Sequence, residues 1–288
     1  MTKVLLGLDT EVPYGPRALT EEGRHLRRDN HGLIARLQDI TNKFDAGRTF
    51  FILGDYLEKA AQELSPEMLR RLFEPDNHLV EIGQHTYNHV IIAPIPTRPD
   101  RQPVTKLELQ GQVIKTNGLL KDILGAEVIG IRTPLGYAGG IPEAVASDIK
   151  ETGLVYVSSD LRSADGGINP PIMEAGTLRQ PRKYTSGLVE IPSHGWQDTA
   201  LTGQSKTKGT EGYPQSVDEA ISFYTGLISE AHTLENQTGQ EIRVGLCMHP
   251  WAMLQYDPEV KVLEGILEFT SARGFDVVSY REAYDNFE

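Results

Sequence analysis

Two histidines, His85 and His89, stand with three residues between them in the stretch EIGQHTYNHV, directly after an apolar run that reads as a buried strand ending in glycine. If the chain enters a helix after Gly83, positions i and i+4 share one face, and two imidazoles there can hold one cation together. Such a pair alone is a weak signal. Its place at a strand end adds weight, because α/β folds carry their sites at the C-terminal ends of strands. A catalytic zinc takes three protein ligands and keeps one position open. The stretch LLGLDTEV supplies carboxylates for a third ligand. Alternate strand residues point the same way, so Asp9 and Glu11 can enter one pocket. One carboxylate would complete the ligand set, and the other could take a proton from a water activated by the cation.

Other strand ends are polar as well. Arg132 is followed by TPLGY, Ser158 and Ser159 by Asp160, and His249 by Pro250 and Trp251. An arginine beside a carboxylate base holds it ionised and oriented. A histidine across the pocket can protonate a leaving amine. His194, Trp196 and Trp251 also follow strands directly, and aromatic faces suit sugar rings. His25, His31, His78 and His232 fall on loops or helices and read as surface or packing residues. Cys247 lies within a strand and reads as a buried thiol.

The elements that must position these residues alternate. Apolar runs at 3–9, 48–53, 78–83, 127–132, 154–159, 187–192, 242–249 and 275–280 read as strands, several with consecutive apolar positions that suit parallel strands covered on both faces. Between them, Leu33, Ile34, Leu37, Ile40 and Phe44 keep helical spacing after possible N-caps at Asp29 and Asn30, and Gly47 ends the segment. Residues 104–125, 141–153, 216–237 and 258–274 read as further helices, the third opening with a Ser216–Glu219 capping box. The alternation predicts a parallel sheet or a (β/α) barrel. The segments 160–186 and 193–215, rich in Gly, Pro, Ser and Thr, read as long loops or lids within a single domain spanning 1–288.

The 288 residues suffice for a sizeable core, and a net charge of −12 without a long basic run argues against nucleic acid or an anionic membrane as partner. No apolar run approaches the length of a membrane span, and the first residues lack the pattern of a signal peptide, so a cytoplasmic location is expected. One cysteine excludes an internal disulfide and a Cys-rich zinc site.

Taken in order, LDTE, HTYNH, RTPLGY, SSD and CMHP resemble the motifs of the NodB-like polysaccharide deacetylases, and RTFFIL resembles that family's second strand. The resemblance runs from Val4 to about Val278. It implies a distorted (β/α)7-type barrel and a metal-dependent amide hydrolase. The first motif has the acid-x-acid form of a subgroup, which carries the base to Asp9 and the ligand role to Glu11, with His85 and His89 as the other ligands. Arg132 matches the arginine that orients the base, His249 the general acid, and Asp160 the acid paired with that histidine. The family often has an aromatic residue directly after R-x-P, where a backbone N–H helps hold the oxyanion; here Leu135 stands there, with Tyr137 two later. These motifs look more like intracellular deformylases and deacetylases of amino-sugar carriers than secreted chitin enzymes. The implied substrate is an N-acetyl or N-formyl amino sugar on a nucleotide, lipid carrier or oligosaccharide, in cell-surface polysaccharide biosynthesis. The implied cofactor is Zn²⁺, with Co²⁺, Ni²⁺ or Fe²⁺ also suited to such ligands. Two other readings compete: a small-amide or ureide hydrolase of allantoinase type, and a catalytically silent carbohydrate binder.

Overall fold

The computed structural model describes residues 2–95, 99–203 and 212–287. Its strands are β1 (Lys3–Thr10), β2 (Arg48–Ile52), β3 (Val80–Gln84), β4 (Gly130–Ala138), β5 (Tyr156–Arg162), β6 (Met173–Glu174), β7 (Thr177–Leu178), β8 (Arg182–Lys183), β9 (Val189–Glu190), β10 (Arg243–Met248) and β11 (Asp276–Val278). Its helices are α1 (Glu21–Lys43), α2 (Gly54–Ala60), α3 (Pro66–Phe73), α4 (Lys106–Leu119), α5 (Glu143–Lys150), α6 (Val217–Thr238), α7 (Pro250–Tyr256), α8 (Lys261–Arg273) and α9 (Tyr280–Asp285).

One sheet runs β10-β1-β2-β3-β4-β5-β9-β8, with β11 against the first half of β1. Every pair is parallel except β8 with β9. The sheet curls into a distorted barrel that the strand ladder leaves open between β9 and β10. The period-two alternation explains both faces. Val4, Leu6, Leu8, Phe50, Ile52, Val244, Leu246 and Met248 belong to the cluster packed beneath the helices. Their neighbours Leu5, Phe51 and Tyr156 form an interior cluster with Tyr280. Residues 7, 9 and 11 follow Leu5 on the interior face, and parallel order brings the C-terminal ends of β1, β3, β4 and β10 to one rim.

Side chains span the gap in the ladder. The His194 N–H donates to Gly245 O, and Gly245 N–H donates back to His194 Nδ1 at 3.1 Å. Gln180 makes the same two-way contact with the backbone of Arg243, at 2.8 and 3.1 Å. A Cβ at Gly245 would collide with Pro192 O, so glycine is what lets the two segments approach.

Several elements depart from the sequence reading. Helix α1 begins at Glu21, with Thr20 as its N-cap accepting from Gly23 N–H, so Asp29 and Asn30 lie inside the helix. Asn30 instead donates to Val12 O, tying the helix to the end of the first motif. The segment 160–186 contains the end of β5, the β6–β7 hairpin and β8, and part of 193–215, residues 204–211, lies outside the described residues. No helix among the described residues is long and apolar enough to cross a membrane.

Candidate active site

The helix expected after Gly83 does not form. Residues 85–95 are irregular, and Thr86 and His89 have φ of 63° and 57°. A β-branched threonine in that region is strained, and it persists because the surroundings supply the backbone's partners. The N–H groups of Tyr87 and Asn88 donate to Gln112 Oε1, and that of Thr86 to Gln84 Oε1. The carbonyls of Thr86 and Tyr87 take the first N–H groups of α2. His85 and His89 therefore converge through a loop clamped by two glutamines, with ring centroids 5.2 Å apart.

Glu11 joins them. Its Oε2 lies 3.1 Å from His85 Nε2 and 2.7 Å from His89 Nε2. Its other oxygen accepts from the indole of Trp251 at 3.2 Å. Burial alone would raise the Glu11 carboxyl, but His89 and His85 hold it well below the ordinary carboxylate range. His85 Nδ1 lies 2.9 Å from Arg132 O, and a carbonyl can only accept, so Nδ1 carries the proton. In the neutral ring Nε2 then presents a lone pair to a carboxylate oxygen. Two acceptors face each other, and a cation between them resolves the conflict. The residues thus fit a divalent metal ion, with the second nitrogen anchored as metal-binding histidines require.

Asp9 occupies the other side. Its Oδ1 accepts from Arg132 Nη1 at 2.8 Å, while Oδ2 faces His249 Nε2 at 3.7 Å and Cys247 Sγ at 3.7 Å. Arg132 is fully buried, its guanidinium 4.4 Å from the Phe51 ring centroid and 4.9 Å from that of Tyr280. It also donates to Ser158, Ser193 and Tyr280. Burial works against this charge, but Asp9 beside it keeps the group protonated. Burial pushes the Cys247 thiol up, and Asp9 adds to the push.

His249 is paired with Asp198, which sequence reasoning missed. Nδ1 lies 2.7 Å from Asp198 Oδ1, and the His249 N–H donates to Asp198 Oδ2 at 2.8 Å. Burial opposes a charged imidazole, yet Asp198, Asp9 and Glu11 raise His249 to about 9. Asp160, the expected partner, is elsewhere: it accepts from Arg179, Gly139 N–H and Arg182, as the β6–β7 hairpin brings Arg179 against it. The signal for Asp198 was faint, one acid in a Gly- and Thr-rich segment 51 residues before the histidine.

These groups open onto a cleft of about 200 Å³ lined by Asp9, Glu11, His85, His89, His249 and Trp251, together with Leu135, Thr133, Cys247 and Arg162. The buried Thr133 hydroxyl has no partner among the described residues, and a polar group of a ligand would supply one. Leu135 holds φ of 68° and gives its carbonyl to Arg162 at 2.8 Å. Three expected wall residues lie outside the cleft. Tyr137 accepts from Ile92 and Ala93 N–H and lines a neighbouring hollow. His194 belongs to the β9–β10 seam, its Nε2 donating to Arg179 O at 2.7 Å, and burial lowers it to about 4. Trp196 packs with Ile168 and Ala200 in a satellite cluster.

Residues 29–157 match the family model for polysaccharide deacetylases. That segment carries His85, His89 and Arg132; Asp9, Glu11, Asp198 and His249 lie outside it. A candidate polysaccharide deacetylase from Mycobacterium smegmatis superposes with TM-score 0.69 at 16% identity, over 99% of this chain and 89% of that one. The Puue allantoinase superposes with TM-score 0.61 at 11% identity, over 99% and 89%. A CE4 family pseudoenzyme from Bacillus anthracis gives TM-score 0.56 at 13% identity, over 99% and 66%. No curated protein matches. Residues 29–157 are thus similar in sequence to the polysaccharide deacetylases, and the chain shares the fold of solved structures named for that family. That match supports hydrolysis of deacetylase type; at these identities the solved structures carry the fold alone.

Proposed function

We propose that the protein is a metal-dependent amide hydrolase that removes an acetyl or formyl group from an amino sugar, releasing a carboxylate and a free amine. Glu11, His85 and His89 would hold the ion, Zn²⁺ or another of Co²⁺, Ni²⁺ and Fe²⁺. A divalent ion there supplies Lewis acidity for the substrate carbonyl and acidifies water. Asp9, fixed by Arg132, accepts the proton of the water that attacks the carbonyl carbon. His249, charged at neutral pH and held by Asp198, gives its proton to the amine nitrogen as the C–N bond breaks. The observation that carries this reading is the division of labour between two carboxylates two residues apart. Glu11 sits between two imidazoles, and Asp9 sits between an arginine and the charged histidine.

The substrate would be an N-acyl amino sugar on a nucleotide, lipid carrier or oligosaccharide, used in building cell-surface polysaccharide. Trp251 and Leu135 line the cleft and would contact it. Protein purified without a chelator or His tag should contain about one transition metal per chain by mass spectrometry, and His85→Ala/His89→Ala should lose it. Loaded protein should release acetate or formate from a panel of N-acyl amino sugars. A metal-free wild type that stays empty on supplementation would sink the mechanism. Release from small ureides alone would redirect the substrate to the allantoinase type.

A further inference from the structure

The half of the cleft that handles protons contains a second set of metal donors. Asp9 Oδ2, Cys247 Sγ and His249 Nε2 lie within 4.8 Å of one another. Tetrahedral zinc, with bonds of about 2.3 Å to sulfur and about 2.0–2.2 Å to nitrogen and oxygen, places its donors about 3.4–3.6 Å apart. The Asp9–His249 and Asp9–Cys247 contacts are both 3.7 Å, close to that spacing. In the first site the Glu11 contacts are 2.7 and 3.1 Å, so those donors must open to admit an ion. The second set is also oriented as ligands are. His249 turns its other nitrogen to the Asp198 carboxylate at 2.7 Å, the arrangement that fixes metal-binding imidazoles. Arg132 occupies only Oδ1 of Asp9, leaving Oδ2 turned to the thiol and the imidazole. All three residues line the cleft, so an ion from solvent can reach them.

We propose that Asp9, Cys247 and His249 form a second, inhibitory metal site selective for thiophilic divalent ions such as Cd²⁺ and excess Zn²⁺. The donor set of one thiolate, one imidazole and one carboxylate favours such ions over Mg²⁺ or Ca²⁺, which prefer all-oxygen cages. An ion there displaces the Nε2 proton of His249 and the thiol proton of Cys247 to solvent and binds the free oxygen of Asp9, so neither His249 nor Asp9 can then exchange a proton with substrate. This inhibitory consequence rests on the roles proposed above; binding does not.

The test is a titration of the full-length, metal-stripped protein with cadmium chloride, read by ultraviolet absorption and by bound cadmium per chain. The expected result is two ions per chain, the weaker one accompanied by the thiolate-to-cadmium charge-transfer band. Cys247→Ser should abolish the band and weaken the second ion by more than about tenfold. Cys247 is the chain's one cysteine, so the band has a single source. A wild type that saturates without the band overturns the proposal, and that readout needs neither the variant nor a substrate. Two ions with the band, but no loss of amide hydrolysis when the second binds, would keep the site and overturn its inhibitory role.

Discussion

The two flanks of the cleft are built differently. On one side Glu11, His85 and His89 meet through a strand end and a clamped loop, and their closest contacts are with one another. On the other, Asp9 and His249 are held by groups from distant segments: Arg132, itself fixed by Ser158, Ser193 and Tyr280, and Asp198. The first flank has a lone pair facing a carboxylate, and a cation would complete it. The second already contains its counter-charges. Counting Asp9, Glu11 and Asp198 against Arg132 and protonated His249, three negative charges face two positive ones, a balance that favours one more cation. On the proposed reading, the residues that would hold an ion and those that would move protons sit a few ångströms apart with separate supports.

The sharpest way to break the comparison is Asp9→Asn. Turnover should fall by about a thousandfold or more while the metal content of the protein stays at the wild-type level. Metal loss in that variant would show that Asp9, not Glu11, is the ligand. Asp198→Asn comes next and acts only on the proton side. His249, raised to about 9 in the folded protein, contributes stability that is complete below about pH 6.5 and is lost as pH rises through about 9. Melting temperatures of metal-free protein across that window should fall for the wild type and much less for Asp198→Asn, whose turnover should drop by about tenfold to a hundredfold. An unchanged pH slope would remove Asp198 from its assigned partnership.

His194→Ala tests the seam rather than the chemistry. It leaves the buried Gly245 N–H without its side-chain acceptor and should cost about 2–4 kcal/mol in urea unfolding. Metal content should be unchanged. The smallest effect belongs to Trp251→Phe, which keeps an aromatic wall and deletes the indole N–H on Glu11. Metal affinity should weaken by about tenfold, measured by competition with a chromogenic chelator. Wild-type affinity in that variant would leave Trp251 as a wall of the cleft and nothing more.

Much of the frame was legible because apolar runs such as RTFFIL have one physical explanation, a strand covered on both faces. Strand alternation likewise placed Asp9 and Glu11 on one face. What escaped the sequence depends on contacts far along the chain. The turn after His85 is set by Gln112, 25 residues beyond Tyr87, so the helix on which the His85–His89 pairing was conditioned is not what brings the two rings together. The partner of His249 was misread because an acid in a flexible-looking segment carries no periodic signal. Asp160, at the end of a clear strand, drew the assignment while Arg179 and Arg182 in fact take it. His194 and Trp196 stood after a strand as a site residue would, but the open ladder needed one of them as a latch and the satellite cluster needed the other.

Gly7 offers no functional group, yet a Cβ there would overlap the guanidinium of Arg132. Arg132 cannot retreat, because aromatic rings and hydroxyls confine it. One added methyl group, with no change in charge or polarity, would therefore be felt first as a rotation of Asp9. In this chain the most conservative substitution available, glycine to alanine, is at that position a disturbance of the Asp9–Arg132 pair, and a scan of variants that scored only chemical character would miss it.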